Sequence, residues 1–190
     1  QGVVELTGSA EFYSLGEHAL ILEDEVGQLS FEQVTLLPDS AFTRSAEAVP
    51  NFGFTRSSYW VRLKLQADAD NTGSWLFELG YPLLDDVQIF VQNRNGRYKH
   101  FELGDHEVFK KRPILHRHFL VPVQIQPGDE PEERATTLYV RVETSSSTQL
   151  PMTLWRPLDF VEDVNREMYG MGLYYGIMLV MIFYNGFLFL

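Results

Sequence analysis

Residues 168–190 read MYGMGLYYGIMLVMIFYNGFLFL and contain no Asp, Glu, Lys, Arg or His. A helix that crosses a hydrocarbon core about 30 Å thick needs about 20 mainly apolar residues, and this stretch supplies them. The core helix of a soluble domain is usually shorter and keeps a polar stripe. Here polar character is confined to Asn185 and the tyrosines, so the stretch is expected to span a membrane. Tyr169, Tyr174 and Tyr175 stand at its entry end, where amphipathic rings favour the headgroup level. Gly172 and Gly176 form a small-xxx-small pair that lets another helix approach closely.

All charge therefore falls in the first 167 positions, and the net charge of −11 belongs to them. The flank Val161-Glu-Asp-Val-Asn-Arg-Glu167 is acidic on balance, whereas basic flanks prefer the cytoplasm. Residues 1–167 are accordingly expected on the outer side. The sequence opens at Gln1 without an initiator Met, a basic n-region or an apolar h-region, which reads as a mature or trimmed chain. With no cysteine, disulfides and thiol chemistry are excluded, which suits a bacterial periplasm better than a disulfide-dense secreted module. About 160 residues suffice for one domain with its own core. The acidic balance, with no basic stripe, argues against nucleic acid as a partner.

Before the membrane stretch, short alternating segments dominate. In 58–66, Tyr59, Val61, Leu63 and Leu65 take one face and Trp60, Arg62 and Lys64 the other. Further strands are expected at 19–22, 74–79, 86–91, 97–102, 117–123, 137–143 and 149–155, separated by Gly-, Asn- and Pro-containing turns. That spacing indicates an all-β sandwich or barrel. Between residues 30 and 54 the alternation stops. Ser30-Phe-Glu-Gln33 has capping-box spacing, and Phe42, Phe52 and Phe54 are expected to cover one end of the sandwich. The acidic tip at 127–133 reads as a solvated loop.

If Val61, Leu63, Phe119, Val121, Leu138, Val140 and Val142 are core, parity turns Trp60, Arg62, Lys64, Glu78, His116, His118, Tyr139, Arg141 and Glu143 outward. A single sheet face carrying rings, cations and carboxylates suits a sugar, whose C–H faces stack on rings while its hydroxyls bond charged groups. An ordinary solvated sheet face gives the same pattern. His116 and His118 point the same way on a strand, as zinc ligands do, but no third or fourth ligand stands beside them. Asp68-Ala-Asp-Asn-Thr-Gly73 resembles the opening of a calcium loop. Its twelfth position is Leu79 where Glu is required, so turn chemistry explains it better. Asp85 and Asp86 suit a hard cation or a satisfied loop end. No nucleophile elbow, phosphate loop or paired-carboxylate spacing is present, and no catalytic role is expected.

Four motifs, in order, are similar to one family. Ser58-Tyr-Trp-Val-Arg62, Glu78-Leu-Gly-Tyr-Pro-Leu-Leu-Asp-Asp-Val87, Arg112-Pro-Ile-Leu-His-Arg-His-Phe119 and Leu150-Pro-Met-Thr-Leu-Trp155 resemble the extracellular domain 7TMR-DISMED2. Tyr175-Gly176 and Tyr184-Asn185 resemble the start of the seven-helix region that follows it. The resemblance implies a jelly-roll β-sandwich similar to carbohydrate-binding modules over residues 1–160. A juxtamembrane connector at 161–167 and a first transmembrane helix at 168–190 would follow. It places the receptor in the inner membrane of a Gram-negative bacterium, with residues 1–167 periplasmic. It also implies six further helices and a histidine kinase, hybrid kinase or diguanylate cyclase output. The likeness is to the two-component sensors that switch pseudomonads between virulence and biofilm growth.

Positions matching the family are Trp60, Arg62, Tyr81, Asp85, Arg112, His116 and Arg117. Joined to the outward-facing residues, they give Trp60, Arg62, Glu78, Tyr81, Arg112, His116, Arg117, Tyr139 and Arg141 as the expected ligand site. The expected ligand is carbohydrate-like. Calcium or another divalent cation at Asp85, Asp86, Asp68 and Asp70 is the alternative, and a homodimer or second receptor as partner is a third.

Overall fold

The computed structural model describes residues 2–8, 10–128 and 130–189, apart from the side chain of Glu132. Gln1 and Leu190, the outer ends of the expected sensor and membrane segments, lie outside the described residues, as do Ser9 and Asp129. In chain order the elements begin with β1 (Val3–Leu6), β2 (Phe12–Ser14), β3 (Leu20–Asp24) and the short helix α1 (Phe31–Thr35). Next come β4 (Thr43–Arg44), β5 (Asn51–Phe54), β6 (Ser58–Ala67), β7 (Gly73–Leu79), β8 (Asp86–Gln92) and β9 (Tyr98–Leu103). The chain continues through β10 (Phe119–Ile125), β11 (Ala135–Glu143), β12 (Ser147–Gln149) and β13 (Met152–Trp155) into the long helix α2 (Pro157–Leu188).

The strands form two main sheets. The larger runs β4-β3-β6-β11-β8-β9, and β1 lies parallel to β6 beyond the end of β3. The smaller runs β10-β7-β13-β2, while β5 and β12 make a separate pair. The chain crosses between the sheets from β6 to β7, β7 to β8, β9 to β10 and β10 to β11, while β8 and β9 form a hairpin within the larger sheet, a crossing pattern that suits a jelly roll.

Alternation explains the core. Val61, Leu63 and Leu65 of β6, Leu138, Val140 and Val142 of β11 and Val87 and Ile89 of β8 face Trp75, Phe77 and Leu79 of β7 and Phe119, Val121 and Val123 of β10. This matches the expected core faces.

A second apolar cluster lies on the opposite side of the larger sheet. There Trp60, Phe90 and Tyr139 are roofed by Val34 and Phe42, with Leu29, Phe31 and Leu37 packed alongside. Phe31 stacks on Phe90 at 4.1 Å and meets Tyr98 edge-on at 4.9 Å. Residues 29–42 thus form a lid over a sheet face. Ser30 opens its helical turn with a full capping box: Gln33 N–H donates to Ser30 Oγ, and Ser30 N–H to Gln33 Oε1.

Two expectations are corrected here. Phe42 covers the sheet and not the end of the sandwich, because it closes the lid segment and packs in the cluster with Trp60, Phe90 and Tyr139. Phe54 is exposed, whereas Phe52 stacks on Tyr59 at 4.0 Å.

The connector expected at 161–167 is helical. Pro157 sits in the first turn of α2, where its missing N–H costs no helical bond, and the helix runs on unbroken for 32 residues, about 48 Å. It is the one helix among the described residues long and apolar enough to cross a membrane. Its start is fixed to the sandwich. Arg156 donates to the carbonyls of Ala10 and Gly8 and to Asn71 Oδ1, and its guanidinium lies 5.0 Å from the Trp75 ring.

Candidate functional site

The lid leaves part of the larger sheet open. A cavity of about 490 Å³ is bounded by Val3, Leu20, Asp39, Arg62, Lys64, Tyr98, Thr137 and Tyr139. Antiparallel register produces this wall: Arg62 pairs with Tyr139 across β6 and β11, and Lys64 with Thr137. Arg62 is largely covered, with its guanidinium 4.2 Å over the Phe42 ring and 2.6 Å from Asp39 Oδ1. The Lys64 side chain is exposed, although its backbone is held in the sheet between Val3 and Thr137. Burial first, and the neighbouring Tyr139 second, push the Tyr98 hydroxyl up to about 12, so it is a neutral donor at any physiological pH. The hollow offers two cations, a carboxylate, hydroxyls and two aromatic edges within one concave surface, the mixture that orients a polar ligand.

Trp60 does not form an open stacking platform. It is 1% exposed, beneath the lid, and its Nε1 has no hydrogen-bond partner among the described residues. Alternation correctly turned it away from the core, but parity cannot say whether a second layer covers an outward face.

The expected ligand residues also divide between two sheets. Trp60, Arg62, Tyr139 and Arg141 lie on the outer face of the larger sheet, whereas Glu78 lies on β7 of the smaller. Arg141 is occupied by Glu143, Ser58 and the Gly27 carbonyl, and lies 3.6 Å from Asp86. Tyr81 packs on the core. Arg112 donates to the carbonyls of His116 and Arg117 and lies over the Phe109 and Phe119 rings. It is a brace for the loop before β10, and desolvation lowers its guanidinium pKa.

Around Glu78 a second constellation forms. Leu79 pairs with Phe119, which brings Glu78 beside the loop that enters β10. His118 Nδ1 lies 2.6 Å from Glu78 Oε1, and Trp155 Nε1 donates to Oε2 at 2.7 Å. Burial pushes the Glu78 pKa up, but the bonds from His118 and Trp155 together bring it below the ordinary carboxylate value. One ligand atom from each of Glu78, His116 and His118 lies within 4.8 Å of the others, so the group can in principle hold a divalent ion. Arg117, between the histidines, reaches α2 and bonds Glu167 at 2.6 and 2.8 Å. The sequence showed two of these ligand types; the third comes from 38 residues upstream, through strand pairing.

The acidic candidates lie at opposite ends of the larger sheet. Asp86 pairs with Glu143 at one end of β11, whereas Asp68 follows the end of β6 where Gln66 meets Ala135. Asp68 caps a turn through Asn71 N–H and Nδ2. Asp85 Oδ2 accepts both the N–H and the hydroxyl of Ser145 at 2.6 Å. Asp85 and Asp86 join Glu102, Glu107 and Gln88 around a hollow of about 280 Å³. Gly104 (φ +128°) lets the chain pass against the Asp85 carbonyl, where a Cβ would collide.

The 7TMR-DISM extracellular 2 family matches residues 16–156. No curated protein matches the chain. Among solved structures, TmCBM61 in complex with β-1,4-galactotriose aligns at 13% identity and a TM-score of 0.34, over 56% of this chain and 68% of that one. A structure concerned with promiscuous carbohydrate-binding modules of the β-sandwich superfamily aligns at 11% identity and a TM-score of 0.25, over 76% of this chain and 54% of that one. With the matched residues spanning the sandwich from the turn before β3 to the residue before α2, the chain belongs to the 7TMR-DISM extracellular 2 family, as a periplasmic sensor domain joined to a membrane-spanning helix.

Proposed function

We propose that this chain is the ligand-sensing head of a bacterial seven-transmembrane signalling receptor. Its ligand is carbohydrate-like and binds in the hollow beside the lid, against Arg62, Lys64, Tyr98, Thr137 and Tyr139. The receptor's output is a histidine kinase, of the hybrid type that governs virulence and biofilm choices, and the bound state passes to it through α2. The observation that carries this reading is the hollow itself, where aromatic edges meet cations, hydroxyls and a carboxylate on a concave wall of about 490 Å³. Occupying it would touch both the sheet and Asp39 of the lid segment, so a ligand there can favour one lid arrangement over another.

Calorimetric titration of the full chain in lipid nanodiscs, metal-stripped, with a panel of neutral and acidic oligosaccharides tests this. One sugar class is expected to give saturable heat and a higher melting temperature. Lys64→Ala and Tyr98→Ala should each weaken binding severalfold. Silence across the panel, or binding indifferent to both substitutions, refutes the sugar reading.

The acidic hollow favours a second reading, a calcium sensor using Asp85, Asp86, Glu102 and Glu107. Carboxylate oxygens are the ligands calcium takes. A calcium-dependent rise in melting temperature that disappears in Asp86→Asn would support it. A rise that persists in that variant, or none at all, would exclude it.

A further inference from the structure

We propose that Glu78, His116 and His118 form a binding site for a zinc-class transition-metal ion at the joint between the sandwich and the membrane helix. The site is distinct from the hollow beside the lid and lies on the other sheet.

The donor set decides the class of ion. Two imidazoles and one carboxylate suit zinc and its neighbours, whereas calcium takes oxygen ligands only. The three ligand atoms are already within 4.8 Å of one another. Tetrahedral zinc with bonds of about 2.1 Å needs them about 3.4 Å apart, so His118 Nδ1 and Glu78 Oε1, 2.6 Å apart without the ion, part by about 0.8 Å while His116 closes on them by up to about 1.4 Å. His116 and His118 precede β10 on a loop, and that small movement falls within its reach. On binding, the ion takes the place of the proton between His118 Nδ1 and Glu78 Oε1, and that proton leaves to solvent. Water completes the fourth position.

A supporting shell is in place. Trp155 Nε1 holds Glu78 Oε2 at 2.7 Å and so turns Oε1 toward His118. Carboxylate ligands fixed in this way are the rule in working metal sites. His118 N–H donates to His116 Nδ1 at 3.2 Å, which keeps the two rings on the same side of the loop. Their centroids are 5.2 Å apart.

Position gives the site its consequence. The His116 ring meets Phe160 of α2 edge-on at 5.3 Å, and Phe160 in turn packs on Trp155 at 5.9 Å. Arg117, flanked by the two ligands, bonds Glu167 two turns further along α2. An ion that draws His116 in and spaces His118 from Glu78 therefore moves the loop that touches the helix at two points. Zinc would stiffen the outer part of α2 against the sandwich.

The test uses the full chain, free of any affinity tag, in nanodiscs after chelator treatment. Titration with zinc should show one ion per chain and a higher melting temperature, and cobalt(II) should give the visible absorption of a tetrahedral site. His116→Ala leaves the Glu78–His118–Trp155 bonds in place and should keep a cooperative melting transition without zinc; it should weaken zinc at least about tenfold. Trp155→Phe, which removes only the support, should weaken it about 10- to 100-fold. A His100→Ala/His106→Ala double variant should bind as the parent does. Zinc should also slow amide exchange over residues 158–167 in the parent and not in His116→Ala. Absence of stoichiometric zinc binding, affinity unchanged by His116→Ala, or exchange in the helix unaffected by bound zinc would overturn the proposal.

Discussion

At the scale of single residues, the polar groups of this domain are mostly spoken for, and that separates candidate contacts from braces. Arg112 and Arg141, both promising as cations, spend their donors on loop carbonyls, Ser58 and Glu143. Lys64 and the Tyr98 hydroxyl remain to meet a ligand. Asp85 illustrates what an engaged group does. The Ser145 hydroxyl and N–H lower its pKa below the ordinary carboxylate value, so the fold favours the ionised form more than the unfolded chain does. Its contribution to stability is therefore complete above the unfolded carboxylate's range, near pH 4, and is lost as pH falls through the lowered folded value. In chemical denaturation, Asp85→Asn should be less stable than the parent at pH 6, with the difference shrinking toward pH 3. A difference independent of pH would show that Asp85 is not held as an anion.

At the scale of elements, the lid is the part most open to change. Two short helical turns, Phe31–Thr35 and Asp39–Ala41, with their flanks cover Trp60, Phe90 and Tyr139, whereas β6 and β11 are paired on both edges. Ser30→Ala removes half of the capping box, a change of about 1 kcal/mol. It should raise amide exchange over residues 31–42 and leave β6 and β11 protected; unaltered exchange in the lid would mean that packing alone holds it. Strands were legible in the sequence because alternation writes each sheet face directly, as in 58–66 against the observed β6. The lid was not, since Leu29, Phe31, Val34, Leu37 and Phe42 follow no single period. The candidate site was half legible for a related reason. Parity turned Arg62, Glu78, His116 and Tyr139 outward, but only the pairing of Leu79 with Phe119 and of Arg62 with Tyr139 says which of them meet.

For the whole molecule, the decisive feature is that sandwich and helix are fastened at one joint. Arg156 is tied to Gly8, Ala10 and Asn71, and Phe160 to Trp155 and His116. Only Arg156 separates β13 from α2, a direct connection of the kind the proposed relay to the helix requires. Residues 168–188 of that helix span about 31 Å, enough for a hydrocarbon core, and we propose that 157–167 stand outside it as a short stalk. Arg156→Ala should unfasten the stalk: spin labels at residues 161 and 165 in nanodiscs should gain mobility while the sandwich keeps its melting transition. Unchanged mobility would show that the ring contacts carry the joint by themselves.

The proposed function requires that a ligand enter the hollow beside the lid and change how the lid sits. Hydrogen–deuterium exchange of the full chain in nanodiscs, with and without each oligosaccharide of the panel, reads this most directly. Protection is expected over residues 37–42, 62–64, 98 and 137–139, with a smaller change in the stalk at 157–167. Protection confined to the acidic loops, or no protection with any sugar, would contradict it.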